Sequence, residues 1–341
     1  MKQRNLSIDA VKGVAIVLVV IGHVFVHNHM EDPYVYDFIK AVQMPLFIII
    51  SGYLCGQGRK ISNIESYGQM MKKRTIAYMV PFFAWLTVMH LGELVNAYKI
   101  IFVQLDYGLW FFGVLFILTF MVYTAQLVAG SLREKKSVLS EIIFWGAYGA
   151  MCLVLVAQIL AGNRFLSPNL TIIYVPFYML GYVAGNYGRK FFCWDSKEAG
   201  KIDCKNNRLI QVGAVIVALV FLYLVIARNL NSMETRIDVF AQMTASVLGC
   251  AAIIYGVFWL KDGKIKNILA KIGNYTLEIY VVHYHFANML NFHGRQYDFY
   301  TPEGAVFVAA SFVAMSAVTF CCIWVMKKVK VIDLLFFGKR S

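Results

Sequence analysis

Charge is scarce in this sequence: only 15% of its 341 residues are Asp, Glu, Lys or Arg, where soluble globular chains carry about 25%. With 60% apolar residues and a mean hydropathy of +0.62, a water-soluble fold is excluded. The seven cysteines are odd in number and lack metal-like spacing. Most fall in apolar runs or in a basic loop, so no disulfide framework is expected. Neither H-E-x-x-H nor G-x-S-x-G occurs in the places where chemistry is sought, and no internal repeat or low-complexity tract is evident. The first apolar run is followed by Asn28-His29-Met30-Glu31 rather than a small-residue cleavage site, so it is not read as a signal peptide. The longest loop, about 188 to 208, is too short for an appended domain. One integral membrane domain over 1–341 is expected.

What the sequence does have is long apolar runs. A membrane-spanning helix needs about 20 mostly apolar residues, because lipid offers no partner to an unsatisfied backbone group. About ten such runs occur, at approximately 10–29, 36–56, 75–95, 108–130, 141–161, 171–187, 209–227, 239–260, 272–292 and 304–326. The expected fold is therefore all-α, a polytopic membrane helix bundle.

The net charge of +13 reports topology rather than nucleic acid, since the basic residues collect in alternate loops. With the N-terminus inside, 25 Lys and Arg lie in inside segments and 6 in outside ones, with Lys12 left in the first helix. The most basic inside loop holds Arg189, Lys190, Lys197, Lys201, Lys205 and Arg208. Both termini are expected in the cytoplasm.

Ionisable side chains within membrane helices are costly and mark functional sites by default. The first helix carries Asp9, Lys12 and His23. At 100° per residue, Lys12 and His23 return to within about 20° of one face and Asp9 to within about 40°, and about 16 Å of helical rise separates Lys12 from His23. That places a cation near the rim and an imidazole well inside. A neutral imidazole is suited to take a proton from a hydroxyl, although snorkelling of Lys12 and a helix-to-helix hydrogen bond for His23 account for the same positions. His27 follows His23 by four residues, a spacing also found in zinc sites. Solvated histidines at the helix exit, His27 and His29, are the preferred reading, and no metal is expected.

The second helix contains Met44-Pro45 and, deeper, Ser51-Gly52. Gly52 permits close approach of a helix or ligand. Ser51 is read as packing or substrate-lining rather than as a nucleophile, because a serine in such a helix usually bonds its own backbone. The ninth run carries Glu278, Tyr280, His283 and His285 in an apolar stretch, with His283 at a depth similar to that of His23. The two histidines are candidates to line one cavity, and Glu278 and Tyr280 to line the substrate path. Trp110, at the outer start of the fourth run, fits an interfacial aromatic belt and is also a candidate lining residue.

Taken in order, these motifs resemble the acyltransferase-3 family of membrane proteins, many of which O-acetylate bacterial surface glycans. The segment Arg4 to His23, with ten residues between Lys12 and His23, is similar to the family's first helix. Phe47 to Leu54 is similar to its second-helix motif. Arg74 with Pro81, Leu109-Trp110-Phe111, Pro176-Phe177 with Leu180-Gly181-Tyr182, and Ile279-Tyr280 through His283 match later landmarks. The chain departs from the family where paired arginines three apart often open the third helix, since Arg74 is followed by Ala77. Lys72 and Lys73 offer charge there instead.

The resemblance implies a multi-pass protein of the bacterial inner membrane. It implies an acyl-CoA co-substrate, acetyl-CoA first, drawn from the cytoplasm, and a carbohydrate or glycolipid acceptor. His23 is then the general base, Asp9 orients Lys12, and His283 orients the acceptor or receives the acyl group. A rim of Lys12, Lys72, Lys73 and Arg74 holds the anionic end of the donor. No tightly bound cofactor is expected, and membrane lipid is the surrounding partner. The alternative is a transporter or lipid-linked-glycan flippase, since buried ionisable residues also mark transport paths, but repeated halves and paired broken helices are not apparent.

Overall fold

The computed structural model describes residues 5–30, 33–90, 93, 95–96, 99, 101, 105, 109–130, 137–188, 208–227, 235–291 and 294–338. The basic loop expected at 188–208 lies outside them except at its two ends. Lys2, Arg4, Arg133, Lys135, Lys136, Arg228, Lys339 and Arg340 also lie outside the described residues.

The described residues are helical, with no strand among them. In chain order the helices are α1 (Leu6–His27), α2 (Pro33–Gly56), α3 (Ile64–Arg74), a π-helical turn (Thr75–Met79), α4 (Val80–Met89), α5 (Trp110–Gly130) and α6 (Ser137–Leu160). They continue as α7 (Pro168–Tyr187), α8 (Arg208–Ala227), α9 (Arg236–Trp259), α10 (Lys264–Gly273), α11 (Thr276–His283), a 3₁₀ turn (Tyr284–Phe286), α12 (Pro302–Met326) and α13 (Lys330–Phe337). The chain forms two compact units, Met1–Ile50 with Tyr187–Trp324, and Ser51–Asn186 with Val325–Ser341.

Seven of these helices are long and apolar enough to cross a membrane: α1, α2, α5, α6, α8, α9 and α12. Their side chains explain which face protein and which face lipid. In α1 and α2, 67% and 72% of the apolar window is buried, against 11% in α8. Exposed Leu209, Val212, Val215, Leu219 and Ile226 give α8 an apolar outer surface that only lipid solvates without penalty. The protein is thus a polytopic helical membrane protein.

The other three expected spans take different forms. The third opens with a five-residue π turn and continues through the ten residues of α4, about 22 Å of rise against the ~30 Å of a bilayer core. The sixth, α7, keeps its length but carries Asn169, Thr171, Tyr174, Tyr178 and Tyr182, which lower its hydropathy. The ninth is not one helix over 272–292. It is α10, a break at Asn274-Tyr275, eight residues of α11 and a 3₁₀ turn.

The reason for that break lies in the first unit, where α10 packs along α1 at backbone distance. A Cβ on Gly13 would stand 2.0 Å from the carbonyl oxygen of Leu269, and one on Gly273 1.8 Å from that of Asp9. Small residues let two helices approach this closely where lipid supplies no hydrophobic drive. The N–H of Asn274 closes α10 onto the carbonyls of Ala270, Lys271 and Ile272. In the second unit, Gly52, Gly56 and Gly185 join the end of α2 to α7, with backbone oxygens of Tyr178, Tyr182 and Tyr53 within 2.4 Å of their Cβ positions.

The exit of α1 is also defined. Asn5 caps its start by accepting from the N–H groups of Ser7 and Ile8. At its end His29, with φ of 55°, takes the left-handed position that usually favours glycine, while the N–H of His29 reaches Val26 and that of Met30 reaches Phe25. This is a Schellman ending, so His29 serves the turn out of the helix.

Candidate active site

In the first unit, α1 and α11 bring two histidines together. Nδ1 of His23 lies 3.1 Å from Nε2 of His283, and the rings stack with centroids 4.8 Å apart. The other nitrogen of His283, Nδ1, lies 2.7 Å from the carbonyl oxygen of Ile279 one turn earlier. His283 is fully buried, whereas His23 keeps partial exposure. The two candidates are in direct contact, and the partly exposed residue of the pair is the one in α1.

The surroundings hold the pair in position. Tyr284, the first residue of the 3₁₀ turn, stands edge-on to His23 at 5.4 Å and to His27 at 4.7 Å. Asn28 donates from its amide to the carbonyls of Val24 and Ala287 at 2.7 and 3.1 Å, tying the end of α1 to the turn after His283. Neither Tyr284 nor Asn28 stood out in the sequence. Their signal was the polar cluster at the two helix exits, which the interfacial reading of His27 and His29 absorbed. Tyr280 is buried with its ring 6.2 Å from that of His283, and Glu278 is buried on the same short helix.

Toward the start of α1, Nζ of Lys12 lies 2.9 Å from Oδ1 of Asp9. The lysine that reads as a tether is therefore paired within its own helix, and Asp9 is placed to orient it. Among the described residues, no group of three or more His, Cys, Asp and Glu side chains is arranged to hold a metal ion.

The second unit carries the other candidates. Lys72 and Lys73 are exposed on α3, but Arg74 turns inward where α3 widens into the π turn, a distortion that often accompanies function. Its Nε donates to the Tyr123 hydroxyl at 3.2 Å and its Nη1 to that of Tyr78 at 3.1 Å. Among the described residues no carboxylate pairs with it, so its charge is held by phenols and remains available to an anion. Nearby in sequence, Lys60 donates to Tyr182 at 3.1 Å, and Gln126 donates to the same hydroxyl at 3.1 Å. Tyr178 and Thr119 share a hydrogen bond of 3.1 Å. Of these tyrosines only Tyr182 was named in the sequence, within a family landmark, although phenols in the middle of apolar helices, away from the interfacial belt, are a readable signal.

Gly52 is a packing residue against α7, and Ser51 precedes it with partial exposure. Trp110 stacks on Tyr174 with centroids 5.2 Å apart, so α5 and α7 hold its ring.

Residues 5–327 match the acyltransferase-3 family model, described as an acyltransferase domain. A stretch of 98 residues is 30% identical to Nodulation protein NolL of Sinorhizobium fredii (strain NBRC 101917 / NGR234), covering 27% of this chain. The match spans 26% of that relative, about a quarter of its length. No solved structure matches the chain.

Proposed function

From the premise that the chain belongs to the acyltransferase-3 family, and is therefore a membrane acyltransferase, we propose that it moves an acyl group, acetyl first among them, from acyl-CoA to a hydroxyl of a cell-envelope or exported carbohydrate. The observation that supports this reading is the contact of His23 with buried His283. It leaves one partly exposed imidazole, fixed in direction, inside an apolar helix. Such a group is suited to remove the proton of a hydroxyl as its oxygen attacks the thioester carbonyl.

Within the second unit Arg74, with charge from Lys72 and Lys73, is a candidate for donor recognition, and within the first unit Lys12 is a separate candidate. A guanidinium held by two phenols presents its remaining N–H groups to a phosphate in a fixed fork. The acceptor is a glycan or glycolipid, and the protein resides in a bacterial inner membrane, as is usual for the family. Ser51, Glu278, Tyr280 and Trp110 remain candidate lining residues, Tyr280 being the one whose ring lies beside that of His283.

The test is transfer of labelled acetyl from acetyl-CoA into envelope glycan, by membranes holding the wild type or an equally abundant, folded His23→Ala variant. Transfer by the wild type alone supports the reading. Equal transfer by both removes His23 from the chemistry.

A further inference from the structure

A chain of two hydrogen bonds that starts from an atom able only to accept determines which nitrogen of His23 is the base. The carbonyl of Ile279 can only accept, so Nδ1 of His283, 2.7 Å away, carries a hydrogen. Among the described residues no carboxylate lies within ion-pair reach of either ring. A charged His283, fully buried, would then be an unpaired cation in an apolar helix, which is costly. The neutral ring has a lone pair on Nε2, and the atom facing it at 3.1 Å is Nδ1 of His23. That nitrogen must donate, and the remaining lone pair of His23 sits on Nε2.

We propose that His283 is a positioning residue, which holds His23 as its Nδ1–H tautomer so that Nε2 of His23 is the reacting base. The proposal rests on the reading of His23 as general base and assigns the atom that performs it. In the transfer, the acceptor O–H proton moves to Nε2 of His23 while the oxygen bonds to the thioester carbonyl carbon. The carbon–sulfur bond then breaks, and the proton on Nε2 passes to the departing thiolate, leaving an ester and free CoA thiol. Throughout, Nδ1–H of His23 stays on Nε2 of His283, and His283 stays anchored to Ile279.

This arrangement resembles the orienting half of a catalytic triad, with a neutral ring where a carboxylate would stand. Orientation and tautomer are supplied, without the attraction of an anion for the imidazolium that forms. The edge-on ring of Tyr284 at 5.4 Å opposes a flip of His23 that would put Cδ2 where Nδ1 meets His283.

The experiment pairs kinetics with spectroscopy on the full chain in lipid discs, using acetyl-CoA as donor and envelope glycan as acceptor. In the ¹⁵N spectrum of histidine-labelled protein, the resonances lost in His23→Ala identify His23. They are expected to show hydrogen on Nδ1 and a bare Nε2. His283→Ala is expected to lower kcat about 100-fold, the size of a general-base contribution, with KM for acetyl-CoA unchanged. His283→Gln, whose amide oxygen can stand where Nε2 stood, is expected to recover most of that loss.

A wild-type spectrum with hydrogen on Nε2 of His23 overturns the proposal, whatever the variants do. So does a folded His283→Ala with wild-type kcat while His23→Ala is inactive. An active His23→Ala overturns the general-base reading instead, and with it the assignment of the reacting atom.

Discussion

Lys12 and Asp9 form an ion pair of 2.9 Å within the first turns of α1, so the cation assigned to the donor is already compensated. Two roles predict different outcomes. If Lys12 meets the anionic end of acyl-CoA, Lys12→Ala weakens acetyl-CoA binding about tenfold or more, the usual worth of a charge-assisted hydrogen bond. Asp9→Asn then weakens binding by less than Lys12→Ala, because the ammonium stays but loses the carboxylate that orients it, and stability falls. Isothermal titration with acetyl-CoA and thermal unfolding of both variants check this. Unchanged affinity in Lys12→Ala would end the donor role and leave a local structural pair.

Arg74 reaches two phenols from two different nitrogens, Tyr123 at 3.2 Å and Tyr78 at 3.1 Å. A lysine has a single ammonium group and cannot hold that fork. Arg74→Lys is therefore expected to raise KM for acetyl-CoA nearly as much as Arg74→Ala, by about tenfold or more. Tyr123→Phe should give a smaller rise by freeing one side of the guanidinium. A wild-type KM in Arg74→Lys would show that charge alone matters and that the phenol fork does not.

The membrane character, seven of the ten helix positions and the matched depth of His23 and His283 were legible because their signals are local: apolar runs, and imidazoles in apolar stretches. The ninth span was misplaced because hydropathy sees Ile272 to Asn291 as nearly continuous, whereas its path is set by contact. Gly273 is pressed against the backbone of Asp9, and Asn28 takes the carbonyl of Ala287. Both are tertiary relations across more than 250 residues. Gly52 and Gly56, four apart, carry the G-x-x-x-G spacing of close-packed membrane helices, so their seam with α7 was readable although its partner was not. The phenols around Arg74 come from Tyr78 and Tyr123, and nothing local connects those positions.

The topology makes its own prediction. Positive-inside counting places the start of α10 in the cytoplasm and the turn between α6 and α7 outside. Lys264 and Asn163 are both exposed and accept a probe. In a cysteine-free background, Lys264→Cys should resist a membrane-impermeant maleimide added to intact cells, and Asn163→Cys should react. The reverse pattern would invert the protein in the membrane and place the Lys12 end of α1 on the wrong side for a cytoplasmic donor.

The last prediction joins packing to chemistry. Because the Cβ of Gly273→Ala would stand 1.8 Å from the Asp9 carbonyl oxygen, α10 must move away from α1 to admit it. Overpacking of this kind costs about 1–3 kcal/mol. α11 follows α10 after only Asn274 and Tyr275, so the displacement is passed toward His283, whose ring meets His23 at 3.1 Å. Gly273→Ala is therefore expected to lower the unfolding temperature and also to reduce kcat more than KM for acetyl-CoA changes. Gly146→Ala, on α6 with no atom within 4 Å of the added carbon, should do neither. Full kcat in a folded Gly273→Ala would mean that the histidine contact is held by the turn at Tyr284 and Asn28, independently of the α1–α10 seam.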